Sequence, residues 1–320
     1  MKTIKIKFVG FYGSFNPEDN TITNILRERY EVELSDQPDY LFYSNFNKEY
    51  IKYDCVRIFY TGECLVPDFN LCDYAMAFEN MDFGDRYLRV PLYELFHYRD
   101  KYQLLLDNTV EQSVKTDFCG FVVSNDSGMS ERKEMFEILS AYKRVDSGGR
   151  YMNNIGGPVK DKFAFDKKHK FSLTFENCCH DGYTTEKIVE AFAAGAIPIY
   201  YGNPLIGREF NTKAFINVHD FASLADVVEY VKRIDSDQLL YNQIKSEPII
   251  TGARINQDDL RRFLFNIFDQ PLEKARRRPY NTYIEDVEAD QRIVRKYFNM
   301  IGFKLKRVRG LIRRLKNGSL

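Results

Sequence analysis

FSLTFENCCHDGYTTEKIVEAFAAGAIPIYYGNP, residues Phe171 to Pro204, changes periodicity three times in one short stretch. Phe171 to Phe175 is a mostly apolar, β-prone run, and Glu176 to Gly182 is polar and ends on glycine. Thr185 to Ala194 sets Ile188, Ala191 and Phe192 on one helical face, and Ala196 to Tyr201 reads as the next strand. Strand, turn, helix and strand form the repeating unit of an open α/β sheet. In such sheets ligands bind beyond the carboxyl ends of the strands, where a helix amino end offers N–H groups and partial positive charge to an anion. That position here carries Tyr183, Glu186 and Lys187, spaced to share one face of the first turn. A ring, a carboxylate that can hold hydroxyls and an ammonium suit a ribose diphosphate.

The stretch resembles the signature of glycosyltransferase family 10, the α-1,3/4-fucosyltransferases that use GDP-fucose, through FEN, YTTEK and IPIYYG. FYTGE at Phe59 to Glu63, DYAMAFENMDF at Asp73 to Phe83, DRYLRVPLY at Asp85 to Tyr93 and FVVSN at Phe121 to Asn125 are similar to the same family in the same order. The likeness covers roughly residues 55 to 222. It departs from the family where Cys178 stands for a frequent serine and Tyr201 for a frequent tryptophan. The resemblance implies a GT-B architecture, two Rossmann-like domains facing a cleft.

The rest of the chain reads compatibly. Strands are expected at Thr3 to Val9, Tyr30 to Leu34, Tyr40 to Tyr43, Val56 to Tyr60, Tyr74 to Phe78 and Tyr87 to Val90, with a helix at Thr21 to Arg29. A polar, charge-mixed stretch from Arg99 to Lys115 precedes another strand at Phe118 to Val123. The expected division is therefore 1–115 for an acceptor-binding domain, 116–300 for a GDP-fucose-binding domain and 301–320 for a tail. Helices follow at Ser130 to Tyr142, Ser223 to Ile234 and near Asp237 to Lys245, with a strand at Ala214 to Val218.

Composition is that of a globular chain: 320 residues, 44% hydrophobic, 29% charged, net charge zero. From Phe303 to Leu320 there are seven basic and no acidic residues, with Leu305, Val308, Leu311, Ile312 and Leu315 at helical spacing. This basic amphipathic tail suits an anionic membrane surface. The remainder is net acidic, which argues against nucleic acid as a partner. Six cysteines lack zinc-like spacing, no apolar run is long enough to span a bilayer, and MKTIKIKFVG alternates as a strand does. The expectation is a cytoplasmic protein with free thiols, of bacterial type, with the tail as a peripheral attachment to the inner membrane face.

The resemblance also distributes roles. Arg132 matches the family's diphosphate-binding arginine, and its planar fork suits paired phosphate oxygens. Lys187 is expected to share that task. Tyr183 and Glu186 resemble nucleoside contacts, and Glu176 and Asn177 stand within reach of fucose or phosphate oxygens. Glu63 is the candidate general base, with Glu79 and Asp82 as competing carboxylates. Asp235-Ser-Asp237 has the DxD spacing of metal-dependent nucleotide-sugar enzymes but precedes a helix instead of following a strand. Neither a metal nor another cofactor is expected, only GDP-fucose as donor. The implied reaction is inverting α-1,3-fucosyl transfer to N-acetylglucosamine or glucose in a β-galactoside acceptor, giving a Lewis x type product. Two alternatives stay open: a GT-B enzyme with another nucleotide sugar, and a non-catalytic glycan-binding or membrane-surface protein.

Overall fold

Ile4 and Ile6 alternate with charged residues from Lys2 onward, and this period of two forms strand β1, Lys2–Val9, with both isoleucines fully buried. In a computed structural model, which describes residues 1–126, 128–250, 257–280, 282–294 and 296–297, β1 pairs in parallel with β2 (Tyr30–Leu34) and β3 (Tyr40–Tyr43). Ile4 lies opposite Val32 and Phe8 opposite Phe42. Helix α1, Thr21–Arg27, joins β1 to β2; the Asn20 side chain caps it by accepting the Ile22 and Thr23 N–H groups. Strands β4 (Val56–Tyr60), β5 (Tyr74–Ala77) and β6 (Tyr87–Arg89) complete the order β2-β1-β3-β4-β5-β6.

The second sheet contains β7 (Asp117–Phe121), β8 (Val145–Ser147), β9 (His169–Phe175), β10 (Ile197–Tyr201) and β11 (Ile216–Asn217), in the order β11-β10-β9-β7-β8. All its pairs are parallel, with Cys119 opposite Phe171 and Leu173 opposite Ile199. Parallel neighbours require crossover connections, and helices supply several of them. Helices after α1 include α2 (Arg99–Leu106), α3 (Ser130–Tyr142), α4 (Lys162–Asp166), α5 (Glu186–Ala193), α6 (Leu224–Ser236), α7 (Gln238–Ser246), α8 (Gln257–Asp269) and α9 (Leu272–Ala275). Buried Phe121, Met135, Leu139, Phe171, Ile199, Val227 and Val231 join the sheet to α3 and α6 in one core. A second cluster packs Tyr102 and Leu105 of α2 against Ile188, Val189 and Phe192 of α5.

The expected α/β class with two parallel sheets is what the chain forms. The sheets part between β6 and β7, on either side of residue 115. Compact units divide differently: the first comprises residues 1–60, 67–75 and the described residues from Leu264 onward, the second 61–66 and the described residues of 76–263. The polar stretch expected to separate the domains is in part helix α2, because Tyr102 and Leu105, three residues apart, both face α5. The basic tail at 303–320 lies outside the described residues. Among the described residues no helix is long and apolar enough to cross a membrane.

The cysteines require a correction. Cys64 and Cys178 form a disulfide across 114 residues of sequence, while Cys55, Cys72, Cys119 and Cys179 are outside any disulfide. The expectation of free thiols fails for this pair because the second unit brings the Thr61–Val66 segment to the turn after β9, a proximity that spacing along the chain does not reveal.

In the first unit, the fully buried Asp73 carboxylate accepts the backbone N–H groups of Arg57 (2.7 Å), Arg277 (2.6 Å) and Arg278 (2.7 Å) and pairs with the buried Arg278 guanidinium. Removing one partner of a buried ion pair leaves the other charge uncompensated. Asp73→Ala should therefore cost about 3–5 kcal/mol in urea unfolding; a loss below about 1 kcal/mol would show that the pair does not hold this unit.

Candidate active site

The parallel strands put the carboxyl ends of β7 and β9 on one sheet edge, so the segments that follow them meet. After β9 comes the turn Glu176 to Thr185; after β7 the chain reaches α3, which carries Arg132. Glu176 is fully buried at the strand end. Its carboxylate accepts the Thr185 N–H (2.8 Å), the Thr185 hydroxyl (2.7 Å) and the Lys187 ammonium (2.9 Å). The turn is thus closed onto the first turn of α5 by one side chain. Thr185, at the N-cap of α5, makes no side-chain cap, because its hydroxyl is committed to Glu176.

Arg132 is 2% exposed. Its Nη2 donates to the carbonyls of Phe175 (3.2 Å) and Glu176 (2.7 Å) and to Asn177 Oδ1 (2.8 Å), while Nε and Nη1 are buried without a hydrogen-bond partner among the described residues. Burial lowers the Arg132 pKa, and the nearby Glu176 carboxylate partly offsets it. A guanidinium with buried, unpaired N–H donors is costly in the protein alone and suited to an anion that would accept from it. The side chain fits because Gly128 is bare: a Cβ there would come within 2.2 Å of Nη1. Arg132, Gly128 and Tyr151 line a cavity of about 270 Å³ beside α3.

Lys187 is charged: burial opposes its ammonium, but the Glu176 and Glu186 carboxylates outweigh that and raise its pKa. Burial also acts against the Glu186 charge, yet Lys187 prevails and holds that carboxyl below its ordinary range. Lys187 donates to Glu176 and to Thr185 Oγ1, each at 2.9 Å. Tyr183 is buried edge-to-face against Phe78, ring centroids 5.1 Å apart. Burial raises its hydroxyl pKa, and the Glu176 and Glu63 carboxylates add to the rise.

Glu63 belongs to the same unit as this turn. It is half-buried, its N–H donates to Thr61 Oγ1 (3.0 Å), and its carboxylate has no hydrogen-bond or ion-pair partner among the described residues. The competing carboxylates are engaged. Glu79 contacts His180 Nε2 at 2.8 Å, and Asp82 accepts the Gly84 N–H in an exposed turn. Asp235 pairs with Lys170 and Lys143, and Asp237 caps α7, so the DxD pair has local partners. Asp117, Asp146 and His169 are close enough together to hold an ion, but they lie toward the amino ends of β7, β8 and β9, at the sheet edge away from Glu176.

Residues without an assigned role hold the turn from outside. Arg89 donates to the Phe78 carbonyl (2.9 Å), the Gly182 carbonyl (2.9 Å) and Glu209 (2.7 Å). Glu209 also accepts from Tyr93 (2.6 Å), Thr184 (3.1 Å) and Asn203 (3.0 Å), and the Asn203 side chain accepts the Gly182 N–H (2.7 Å). Arg89 sits in DRYLRVPLY and Asn203 just after IPIYYG, so both were visible as motif residues; what they contact was not.

Comparison with known proteins gives this arrangement its family. Residues 6–96 match the α-(1,3)-fucosyltransferase FucT N-terminal domain, and residues 112–245 match the C-terminal domain of glycosyltransferase family 10 (fucosyltransferase). The chain belongs to glycosyltransferase family 10. It is 34% identical over 256 residues to the α-(1,3)-fucosyltransferase FucT of Helicobacter pylori, a match covering 68% of this chain and 53% of that protein. The chain thus spans about half the length of that relative. Its fold is similar to crystal structures of an α1,3-fucosyltransferase with GDP-fucose (TM-score 0.71, 28% identity, 84% of this chain and 92% of that one) and with GDP (TM-score 0.70, 28% identity, 85% and 91%).

Gly182 tests the turn. Its φ is +81°, and a Cβ would come within 2.7 Å of the Phe78 carbonyl oxygen. Gly182→Ala should cost at least about 1–2 kcal/mol from the left-handed backbone alone, measured by denaturant unfolding. An unchanged midpoint would mean that the turn is less constrained than its contacts indicate.

Proposed function

We propose that this chain catalyses inverting transfer of L-fucose from GDP-β-L-fucose to O3 of N-acetylglucosamine or glucose in a β-galactoside acceptor, giving a Lewis x type product. Family membership supports fucosyl transfer, and the similar structures are of an α1,3-fucosyltransferase with GDP-fucose and with GDP. The observation that carries the donor reading is Arg132, whose buried Nε and Nη1 have no hydrogen-bond partner among the described residues, beside a turn already organised by Glu176. Those donors suit diphosphate oxygens that gain charge as GDP leaves, and preorganised charge of this kind is usually the largest catalytic contribution. Lys187 and the amino end of α5 add positive potential. Tyr183 and Glu186 serve the nucleoside, and Asn177, oriented by Arg132, serves fucose or phosphate oxygens.

In the proposed reaction Glu63 takes the proton from the acceptor hydroxyl while its oxygen bonds to the anomeric carbon. The bond from that carbon to the GDP oxygen breaks, and its electron pair leaves with the diphosphate. Attack opposite the leaving group inverts β-linked donor to α-linked product, through an oxocarbenium-like transition state. Arg132 and Lys187 do what a divalent cation does in DxD enzymes, and the basic tail at 303–320 attaches the protein to an anionic membrane surface.

The test is incubation with GDP-fucose and N-acetyllactosamine without added metal, the linkage being read by NMR. An α-1,3 product is expected; activity lost in chelator and recovered only with manganese would overturn the metal-free mechanism. Glu63→Gln should lower transfer at least about a hundredfold while GDP still stabilises the protein in thermal shift. Retained transfer removes Glu63 as the base. Arg132→Ala should weaken GDP binding by about 1–3 kcal/mol, and UDP should give no thermal shift in the unaltered chain. Equal shifts by both nucleotides would point to another donor.

A further inference from the structure

We propose that the Cys64–Cys178 disulfide positions the catalytic base: it holds Glu63 against the donor turn, so that transfer depends on this bond while donor binding does not. The inference rests on Glu63 as base. Glu63 immediately precedes Cys64, and Asn177 immediately precedes Cys178; the two cysteine α-carbons are 6.8 Å apart across 114 residues of sequence.

The two partners are held very differently. On the Cys178 side, Arg132 binds the carbonyls of Phe175 and Glu176 and the Asn177 side chain, and Glu176 closes the turn onto α5 through Thr185. On the Cys64 side, Thr61 N–H donates to the Met76 carbonyl, and beyond it the hydrogen bonds from Gly62 to Val66 among the described residues are local: Glu63 N–H to Thr61 Oγ1 and Leu65 N–H to the Glu63 carbonyl. Gly62 packs against Leu92, and Leu65 and Val66 are exposed. Among the described residues the disulfide is therefore the link that ties Glu63 and Cys64 to an independently braced turn. Reduction by a dithiol passes two electrons and two protons to the cysteine sulfurs, leaves two thiols and oxidises the dithiol to its own disulfide. The donor turn keeps its hydrogen bonds, whereas the base loses its fixed distance. Misplacing a catalytic group by about 1 Å can cost on the order of a hundredfold in rate.

The experiment uses the full chain. Peptide mapping by mass spectrometry without reductant should show residues 64 and 178 cross-linked; their absence from the linked fraction overturns the proposal. Treatment with dithiothreitol should lower kcat at least tenfold, leave the thermal shift by GDP unchanged and change KM for GDP-fucose less than twofold, with kcat restored by oxidised glutathione. Cys64→Ser should behave as the reduced protein does and be indifferent to dithiothreitol. Cys179→Ser, which alters the neighbouring exposed free thiol, should keep the dithiothreitol response. An unchanged kcat in reduced protein or in Cys64→Ser overturns the positioning role, as does parallel loss of GDP binding, which a merely structural cross-link would produce. Glu63→Gln, assayed with the disulfide intact, separates this inference from the one beneath it. Retained transfer there overturns the base assignment, whereas retained transfer in Cys64→Ser overturns the link alone.

Discussion

A buried carboxylate needs donors on every side, and Glu176 obtains them by drawing the start of α5 onto the end of β9. Thr185 supplies its N–H and its hydroxyl, and Lys187 its ammonium. The satisfaction of one charge thereby sets the geometry of the whole turn between them. It also keeps Lys187 charged in a position where burial alone would favour the neutral amine. Arg132 then reads that geometry through three acceptors at the same strand end, while its Nε and Nη1 are buried with no partner among the described residues.

Around this centre lies a second polar network. Glu209, with only 9% of its side chain exposed, collects donors from Arg89, Tyr93, Thr184 and Asn203. Arg89 and Asn203 in turn hold the two ends of the Gly182 peptide unit, its carbonyl and its N–H. Polar groups buried together in this way are worth keeping only when each is satisfied, and a satisfied network admits one arrangement. The turn carrying Tyr183 is therefore fixed from within by Glu176 and from outside by Glu209. Glu63 has neither brace. It sits in a short segment held laterally by a disulfide, so the turn after β9 is built by hydrogen bonds and the position of Glu63 beside it by a covalent bond.

Strands with clear alternation or strong apolar character were legible with small errors in their ends. Tyr30–Leu34, Tyr40–Tyr43 and Val56–Tyr60 form over the expected residues, as does the helix Ser130–Tyr142. What escaped reading was short or carried a weak pattern. Val145–Ser147 is three residues long and shows no period, and α4 is only five residues. Helix α2 reads as a linker because its short apolar run around Leu105 lies within a stretch, Arg99 to Lys115, that is otherwise mostly polar and charged. Its partner, α5, lies more than eighty residues away, and only that partner makes the face apolar enough to bury.

The sequence by itself determined the α/β class, the strand–turn–helix unit at Phe171 to Pro204 and the residue types gathered around it, because periodicity and local chemistry are written along the chain. It also contained FEN, YTTEK, FYTGE and FVVSN, and with them the candidate roles of Glu63, Tyr183, Glu186, Lys187 and, at the helix after FVVSN, Arg132. Only the tertiary structure decided which carboxylates have partners and which cysteines meet. Glu63 and Glu79 are equivalent as letters, but His180 engages one and no described side chain engages the other. Cys178 and its neighbour Cys179 are likewise indistinguishable in spacing, yet one faces Cys64 and the other stays free and exposed. The physical reason is common to both: pairing depends on distance in space, and residues more than a hundred positions apart acquire that distance only when the sheet has formed.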